Sequence, residues 1–253
     1  MIVQKLAAKA IHERRLISEG DRILIAVSGG KDSSVMSWAL STLRQALRME
    51  YSLAGLHISS DFCACCQKSV LASRLDEWGI PFTDLSVPII GRLKEGRKMN
   101  CYWCSTQRRT ELIRYAMENG FNKIALGHHL DDIIETFFMN MTNKGNLSAM
   151  PIYLAYRKYP ICIIRPLAYL EERQIIACAA EQNILKAACT CPYGVNSSRR
   201  DIRERIAGFT GNSGAVKRRI LAALSSGAED LLVDDERLRS EDQGENGEKS
   251  ETH

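Results

Sequence analysis

Arg22-Ile-Leu-Ile-Ala-Val27, then Ser28-Gly-Gly-Lys-Asp-Ser33, then Val35-Met-Ser-Trp-Ala-Leu40 form the stretch whose reading decides the fold. The first piece reads as a buried strand, the second as a glycine turn, and the third as the start of a helix. Strand, turn and helix N-terminus together make an anion site. Two glycines let the backbone approach a phosphate with no Cβ in the way. The N–H groups and the positive end of the helix face the anion. Lys31 adds a mobile positive charge, and Ser28 and Ser33 add hydroxyl donors.

The loop is not a Walker A motif, which requires G-x-x-x-x-G-K-[ST]. It resembles the PP-loop of the ATP pyrophosphatase superfamily, whose members use ATP to adenylate a substrate oxygen and release pyrophosphate. The resemblance implies nucleotide contacts from Ser28, Gly29, Gly30, Lys31, Asp32 and Ser33. A plain glycine turn with solvated polar residues is the bland alternative. It leaves unexplained six matching residues set between a strand and a helix.

Composition narrows the classes. The chain has 253 residues and 45% apolar content, enough for one sizeable core and an accessory lobe. No run approaches the roughly 18–20 apolar residues of a membrane span. The first eleven residues, Met1 to Ile11, form a mixed amphipathic pattern and do not read as a signal peptide. A soluble cytoplasmic protein with no membrane partner is expected. Nine cysteines in such a chain argue for metal or redox chemistry over structural disulfides. The net charge of +4 hides an asymmetry: Glu229 to His253 carries −7, and the remaining residues carry +11. A basic body suits a polyanion such as nucleic acid, although ordinary solubility charge gives the same total. The acidic end is poor in apolar residues after Val233 and reads as disordered.

Strands read at 22–27, 51–58, 82–87, 123–126 and near 161–164. Helices read at 3–17, 32–48, 69–78, 107–118, 131–142 and roughly 171–182, with Gly120 where a C-cap belongs. The alternation implies an α/β fold: a Rossmann-like parallel sheet, of the adenine nucleotide alpha hydrolase kind, with helices on both faces. No internal repeat is present. Residues 1–208 read as the main domain, 209–226 as a basic helical segment, and 227–253 as an acidic tail.

Ligands of such sheets lie at the carboxyl ends of the strands. That rule gathers the loop at 28–33, His57 to Asp61, the run Gly127-His-His-Leu-Asp-Asp132 and Arg165-Pro-Leu167 at one edge. Gly127 leaves room for a purine or ribose against the backbone. Asp131 and Asp132 start a helix, where carboxylates are stabilised. They suit magnesium beside ATP phosphates, or a base acting on the substrate. The plain reading is N-capping by Asp131, with the histidines at the surface.

Cys101-Tyr-Trp-Cys104 puts two thiolates on one turn, suited to metal or disulfide chemistry. A third ligand must come from elsewhere. Cys191, in Cys191-Pro-Tyr-Gly194, is a candidate and Cys189 its rival. Soft thiolates select zinc or iron–sulfur clusters, and three of them leave one metal position open for chemistry. Cys162 and Cys178 read as core packing. Cys63, Cys65 and Cys66 follow the second strand, and spacing does not decide whether they bind metal, relay sulfur or lie idle.

The loop, the C-x-x-C, Gly127 to Asp132 and Arg165-Pro-Leu167, in this order and spacing, closely resemble the tRNA 2-thiocytidine synthetase (TtcA) family of tRNA thiolases. The similarity spans about residues 5–208. It implies a 4Fe–4S cluster on Cys101, Cys104 and Cys191, with ATP and Mg²⁺ as further cofactors. His57 and Gly127 would join the loop in holding the nucleotide. Lys31, Asp131, Asp132 and Arg108 would serve adenylation of a cytidine C2 oxygen in the anticodon loop and its replacement by sulfur. Partners implied are tRNA, a sulfur-donor system such as a cysteine desulfurase and, by resemblance only, a homodimer. The basic run Arg199, Arg200, Arg203, Arg205, Lys217, Arg218 and Arg219 suits RNA phosphates or a solvated helix face. Rival enzymes are a 2-thiouridine-type thiolase and a tRNA-lysidine synthetase, the latter needing no cysteine triad. A non-catalytic ATP- and metal-binding redox sensor is the rival of another class.

Overall fold

The computed structural model describes residues 1–62, 68–184 and 197–225. The elements are α1 (Ile2–Glu13), β1 (Arg22–Ala26), α2 (Lys31–Ala46), β2 (Ser52–Ser60), α3 (Lys68–Glu77), β3 (Phe82–Val87) and α4 (Cys101–Glu118). They continue with β4 (Lys123–Ala125), α5 (Leu130–Lys144), β5 (Tyr153–Ala155), β6 (Cys162–Ile164), α6 (Glu172–Glu181), α7 (Ser197–Thr210) and α8 (Gly214–Ser225). The six strands form one sheet in the order β3-β2-β1-β4-β6-β5. Five are parallel, and β5 pairs antiparallel to β6 at the edge. The expected parallel α/β sheet is thus present, with one added antiparallel edge strand that the sequence reading lacked.

Alternation along β1 divides the interior. Ile23 and Ile25 enter a core shared with α1, α2, α3, α5 and the C-terminal helices. Leu24 enters a second core on the opposite face with Leu56, Ile58, Ile124 and Ile113 of α4. Successive strand residues point to opposite faces, so each face needs its own helical cover. Among the described residues, α4 is the helix whose residues fill the second core.

Chain order reverses between β1 and β4, since β2 and β3 continue on one side and β6 on the other. In open α/β sheets the crevice at such a reversal, at the carboxyl edge, takes the ligand. The loop at 28–33 follows β1, and Gly127 to Asp132 follows β4, so the two motifs flank that crevice. α4 lies between β3 and β4, and a helix crossing between parallel strands starts at their carboxyl edge. The C-x-x-C therefore sits at the same edge.

Two expectations change. α4 begins at Cys101 and not near 107, because the Asn100 side chain accepts the Trp103 N–H at 2.8 Å and caps it. The C-x-x-C is thus the first turn of the helix. The expected boundary at 208/209 falls inside α7, and Ile202, Ile206 and Leu221 of α7 and α8 are buried in the first core. The tail, Cys63, Cys65, Cys66, Cys189 and Cys191 lie outside the described residues. No described helix is long and apolar enough to cross a membrane.

At the opposite, amino edge, Lys123 and Asp21 form a buried pair at 2.6 Å. Lys123 also donates to the Leu16 carbonyl, and Asp21 accepts from Asn122 and from the Ser18 N–H. Removing one partner leaves a buried charge alone, which costs about 3–5 kcal/mol. Asp21→Ala is expected to lower the melting temperature by roughly 10 °C or more. Circular dichroism melts check this, and calorimetry should find nucleotide affinity unchanged because the pair lies at the far edge.

Candidate active site

Ser28 to Ser33 closes on itself. Ser33 Oγ accepts the Ser28 N–H at 3.2 Å and lies 3.0 Å from Ser28 Oγ, while Ser28 Oγ accepts the Gly30 N–H at 3.3 Å. Gly29 has φ +81°, and Gly30 caps α2. The first-turn N–H groups of α2 have no partner within their helix and form the anion cradle. His57 is buried and donates Nδ1–H to the Val27 carbonyl at 2.7 Å, bracing β2 against the loop. Gly127 faces the start of α2: a Cβ there would lie 3.0 Å from Ser33 N and 3.1 Å from Ser33 Cα. What comes close to this glycine is the chain's own loop.

Lys31 donates to Glu172 Oε1 at 2.8 Å and lies 3.2 Å from Asp32 Oδ1. Burial pulls its pKa down, but Glu172 and Asp32 outweigh burial and hold it above the ordinary lysine value. Asp32 Oδ1 is buried and accepts no hydrogen bond, so the Lys31 ammonium answers it by charge alone.

Asp131 and Asp132 divide the labour. Asp131 Oδ2 accepts the Glu172 N–H at 2.7 Å, and Oδ1 pairs with Lys217 of α8 at 2.5 Å. Burial opposes its ionisation, yet His129, Lys217 and the Glu172 N–H drive its pKa far below the ordinary aspartate value. Asp132 Oδ2 accepts the His129 N–H at 3.1 Å. His129 is buried, not superficial. Its ring lies 3.6 Å from Asp131, 3.4 Å from Asp132 and 4.0 Å from Asp32. Burial would lower its pKa, but the three carboxylates raise it.

Sequence reasoning missed Glu172, Lys217 and the role of His129. The visible signal was the pair Glu171-Glu172 directly after Tyr169-Leu170, at a helix start. Nothing in the sequence tied it to Lys31, 141 residues away. Of the basic run, Arg203 pairs with Glu135 and lies 3.9 Å from Glu172, and Arg218 pairs with Glu171 at 3.1 Å.

Cys101 and Cys104 lie on the first turn of α4, where the positive helix end favours thiolates. Arg108 lies seven residues from Cys101, and its Nε is buried without a hydrogen-bond partner. Glu111 anchors the helix: Arg92, from the loop after β3, pairs with it at 2.6 Å and Arg114 at 2.5 Å. Trp103 adds a bond from Nε1 to the Ile89 carbonyl at 3.2 Å. The donors fit two groups. Asp32 and Asp132 offer hard oxygens of the kind that, with substrate phosphates, hold Mg²⁺. Cys101 and Cys104 offer soft sulfur, two ligands of a thiolate set. No cluster of three or more metal-ligating side chains occurs among the described residues.

A family profile described as PP-loop domain matches residues 2–208. A Geobacter metallireducens protein named tRNA-cytidine(32) 2-sulfurtransferase is 35% identical over 91% of both chains. A Coxiella burnetii protein of the same name is 34% identical over 90% of both. This chain belongs to the tRNA 2-thiocytidine synthetase family of PP-loop proteins. Its fold is shared with the U34-tRNA thiolase NcsA from Methanococcus maripaludis, whose structure contains a [4Fe-4S] cluster. The TM-score is 0.75 at 22% identity, over 88% of this chain and 76% of that one. A more remote likeness, TM-score 0.52 at 12% identity, is to NH3-dependent NAD synthetase from Campylobacter jejuni, over 89% of this chain and 90% of that one.

Two outcomes test this geometry. Gly127→Ala pushes a methyl into the backbone of Asp32 and Ser33, and is expected to weaken ATP binding at least about tenfold while overpacking costs only about 1–3 kcal/mol of stability. Calorimetry with ATP and a thermal melt check both. Burial would raise the Glu111 pKa, but Arg114 and Arg92 outweigh it and lower it from 4.5. The Glu111 carboxylate therefore stabilises the fold above pH 4.5, and this stabilisation is lost as pH falls through its folded value. Glu111→Gln should melt below wild type at pH 7, with the gap closing in acid.

Proposed function

We propose that this chain is an ATP-dependent tRNA sulfurtransferase that converts cytidine 32 to 2-thiocytidine. The observation that carries the proposal is a PP-loop and a C-x-x-C helix start at one sheet edge, in a chain of this family. A pyrimidine C2 oxygen is a poor leaving group. Its attack on the α-phosphorus of ATP forms a C–O–P linkage and breaks the bond to pyrophosphate. Sulfur then bonds to C2 as the C–O bond breaks and AMP departs.

The residues have distinct tasks in this scheme. Ser28, Gly29, Gly30, Asp32 and Ser33 cradle the polyphosphate. Lys31, released from Glu172, stabilises charge on the departing pyrophosphate. His57 and Gly127 act through the loop they brace. Asp132, with Asp32, would hold Mg²⁺ or manage a proton. Asp131 serves by fixing α5 against α6 and α8, since both its oxygens are engaged. Arg108 binds the activated intermediate. Cys101, Cys104 and Cys191 would hold a [4Fe–4S] cluster, which would supply the sulfur-transfer chemistry. Two resident thiols on one turn and the cluster reported for the fold's thiolase relative support that assignment. A cysteine desulfurase as sulfur source, a cytoplasmic setting and a homodimer complete the scheme.

Mass spectrometry of tRNA nucleosides from cells with and without the gene tests it. Selective loss of 2-thiocytidine is expected on deletion. Wild type and Cys162→Ala should restore it, while Cys101→Ala, Cys104→Ala and Cys191→Ala should not. Persistence of 2-thiocytidine, with loss of a thiouridine or of lysidine, would replace the substrate.

A further inference from the structure

Basic side chains at the carboxyl edge fall into two sets. Arg203, Lys217 and Arg218 of α7 and α8 are engaged by carboxylates. Arg108 and Arg109 of α4, and Arg165 after β6, make no ion pair among the described residues.

Arg165 is the telling member. Only 5% of its surface is exposed. Its Nε donates to His128 Nδ1 at 3.3 Å and its Nη1 donates to the Pro151 carbonyl, so both acceptors are uncharged. Burial pushes its pKa down to about 10, the like charge of Arg109 adds to this, and Tyr156 and Asp132 only partly offset it. A guanidinium withdrawn from water without a counter-ion is costly. The backbone nevertheless fixes it, with its N–H on the Ile152 carbonyl and its carbonyl accepting the Ala168 N–H. Arg108 Nε is likewise buried and unpartnered. Uncompensated cations held at a catalytic edge suit an anion that arrives with the substrate.

Position in the sheet separates this anion from the one at the PP-loop. β6 lies two strands from β1, which at the usual strand spacing is about 10 Å. We propose that Arg165 and Arg109, with His128 orienting Arg165, form a second phosphate subsite that holds the RNA backbone beside the target nucleotide. A phosphate of the bound nucleotide offers the same chemistry, and the test separates the two. The inference rests on the tRNA-modifying function proposed above.

The experiment uses full-length protein purified anaerobically. Affinity for an unmodified tRNA transcript is read by fluorescence anisotropy between 50 and 200 mM salt, roughly the range over which phosphate contacts are lost. Affinity for ATP is read by calorimetry. Arg109→Ala, at an exposed position, is expected to weaken tRNA binding about five- to tenfold and to reduce the salt slope by about one. ATP affinity should stay within about twofold of wild type, and Arg109→Lys should recover part of the loss. Arg165→Lys, which keeps the charge and loses the fork, should act in the same direction. Because Arg109 is exposed, its variant decides the matter even where Arg165→Lys melts early. Unchanged tRNA affinity and slope in folded Arg109→Ala, while wild type binds tRNA, would overturn the subsite and leave the proposed function standing. Loss of ATP affinity with tRNA affinity intact would also overturn it, assigning the anion to the nucleotide. Failure of wild type to bind tRNA would sink both.

Discussion

Carboxylates crowd the starts of α5 and α6, and the site depends on the cations that hold them. Asp131 and Asp132 open α5, Glu171 and Glu172 open α6, and Asp32 stands in the first turn of α2. A helix N-terminus stabilises a nearby carboxylate by about 0.3–1 kcal/mol. Two like charges 4 Å apart repel by roughly 4 kcal/mol near a protein surface, so helix dipoles alone do not gather such a set. Lys31, His129, Arg203, Lys217 and Arg218 do. Two of these five come from α8, which lies beyond the residues matched by the family profile. α8 is therefore part of the candidate site and not an appendage. Gly214, its first residue, sits so close to the Glu171 carboxylate that any Cβ there would collide with it.

The same arrangement explains how the PP-loop lysine is kept ready. Lys31 is held by Glu172 and Asp32 at the mouth of the cradle, with its charge secured. In the proposed reaction a polyphosphate entering the cradle would compete with Glu172 for that ammonium. The Glu172 carboxylate it leaves behind faces Arg203 at 3.9 Å, so the released charge has an answer nearby. In the proposed reaction the surrounding carboxylates would also repel a bare polyphosphate and favour one that arrives with a divalent cation. Pre-set charge of this kind would need little reorganisation in the proposed departure of pyrophosphate.

Legibility in the sequence followed how local each signal was. β1, the loop and α2 were readable because strand, glycines and helix start are contiguous. The carboxyl-edge rule then placed Gly127 to Asp132 beside them. β5 was not readable: Tyr153, Leu154 and Ala155 are all exposed, so no alternation marks a strand, and pairing with β6 alone defines it. The start of α4 was misjudged because Tyr102 and Trp103 are modest helix formers, while the capping residue Asn100 carries the signal. Glu172 and Lys217 were invisible as site residues for another reason. Their meaning lies in Lys31 and Asp131, far away in the chain, and one sequence carries no record of such pairings. For His129 the sequence left a surface position open as the plain alternative, because neither its burial nor its three carboxylate neighbours is written locally.

The two halves of the carboxyl edge differ in charge, and α4 is where they differ most. On the side of α5 and α6, each basic group among Lys31, Lys217, Arg203 and Arg218 has a carboxylate partner. On the side of α4 and β6, the arginines beside the thiol turn have none among the described residues, although Arg114 of the same helix and Arg92 of the loop after β3 share Glu111. This is not a shortage of acid in the sequence, since the chain holds 30 Asp and Glu. It is a matter of placement. Glu111 ties the middle of α4 to the loop after β3, and Trp103 ties its first turn to Ile89 in the same segment. Cys101, Cys104, Arg108 and Arg109 are thus carried on one braced helix. A base seated at the thiol turn and a phosphate seated at the arginines would be held at a fixed separation. That separation suits a substrate in which base and phosphate belong to one strand.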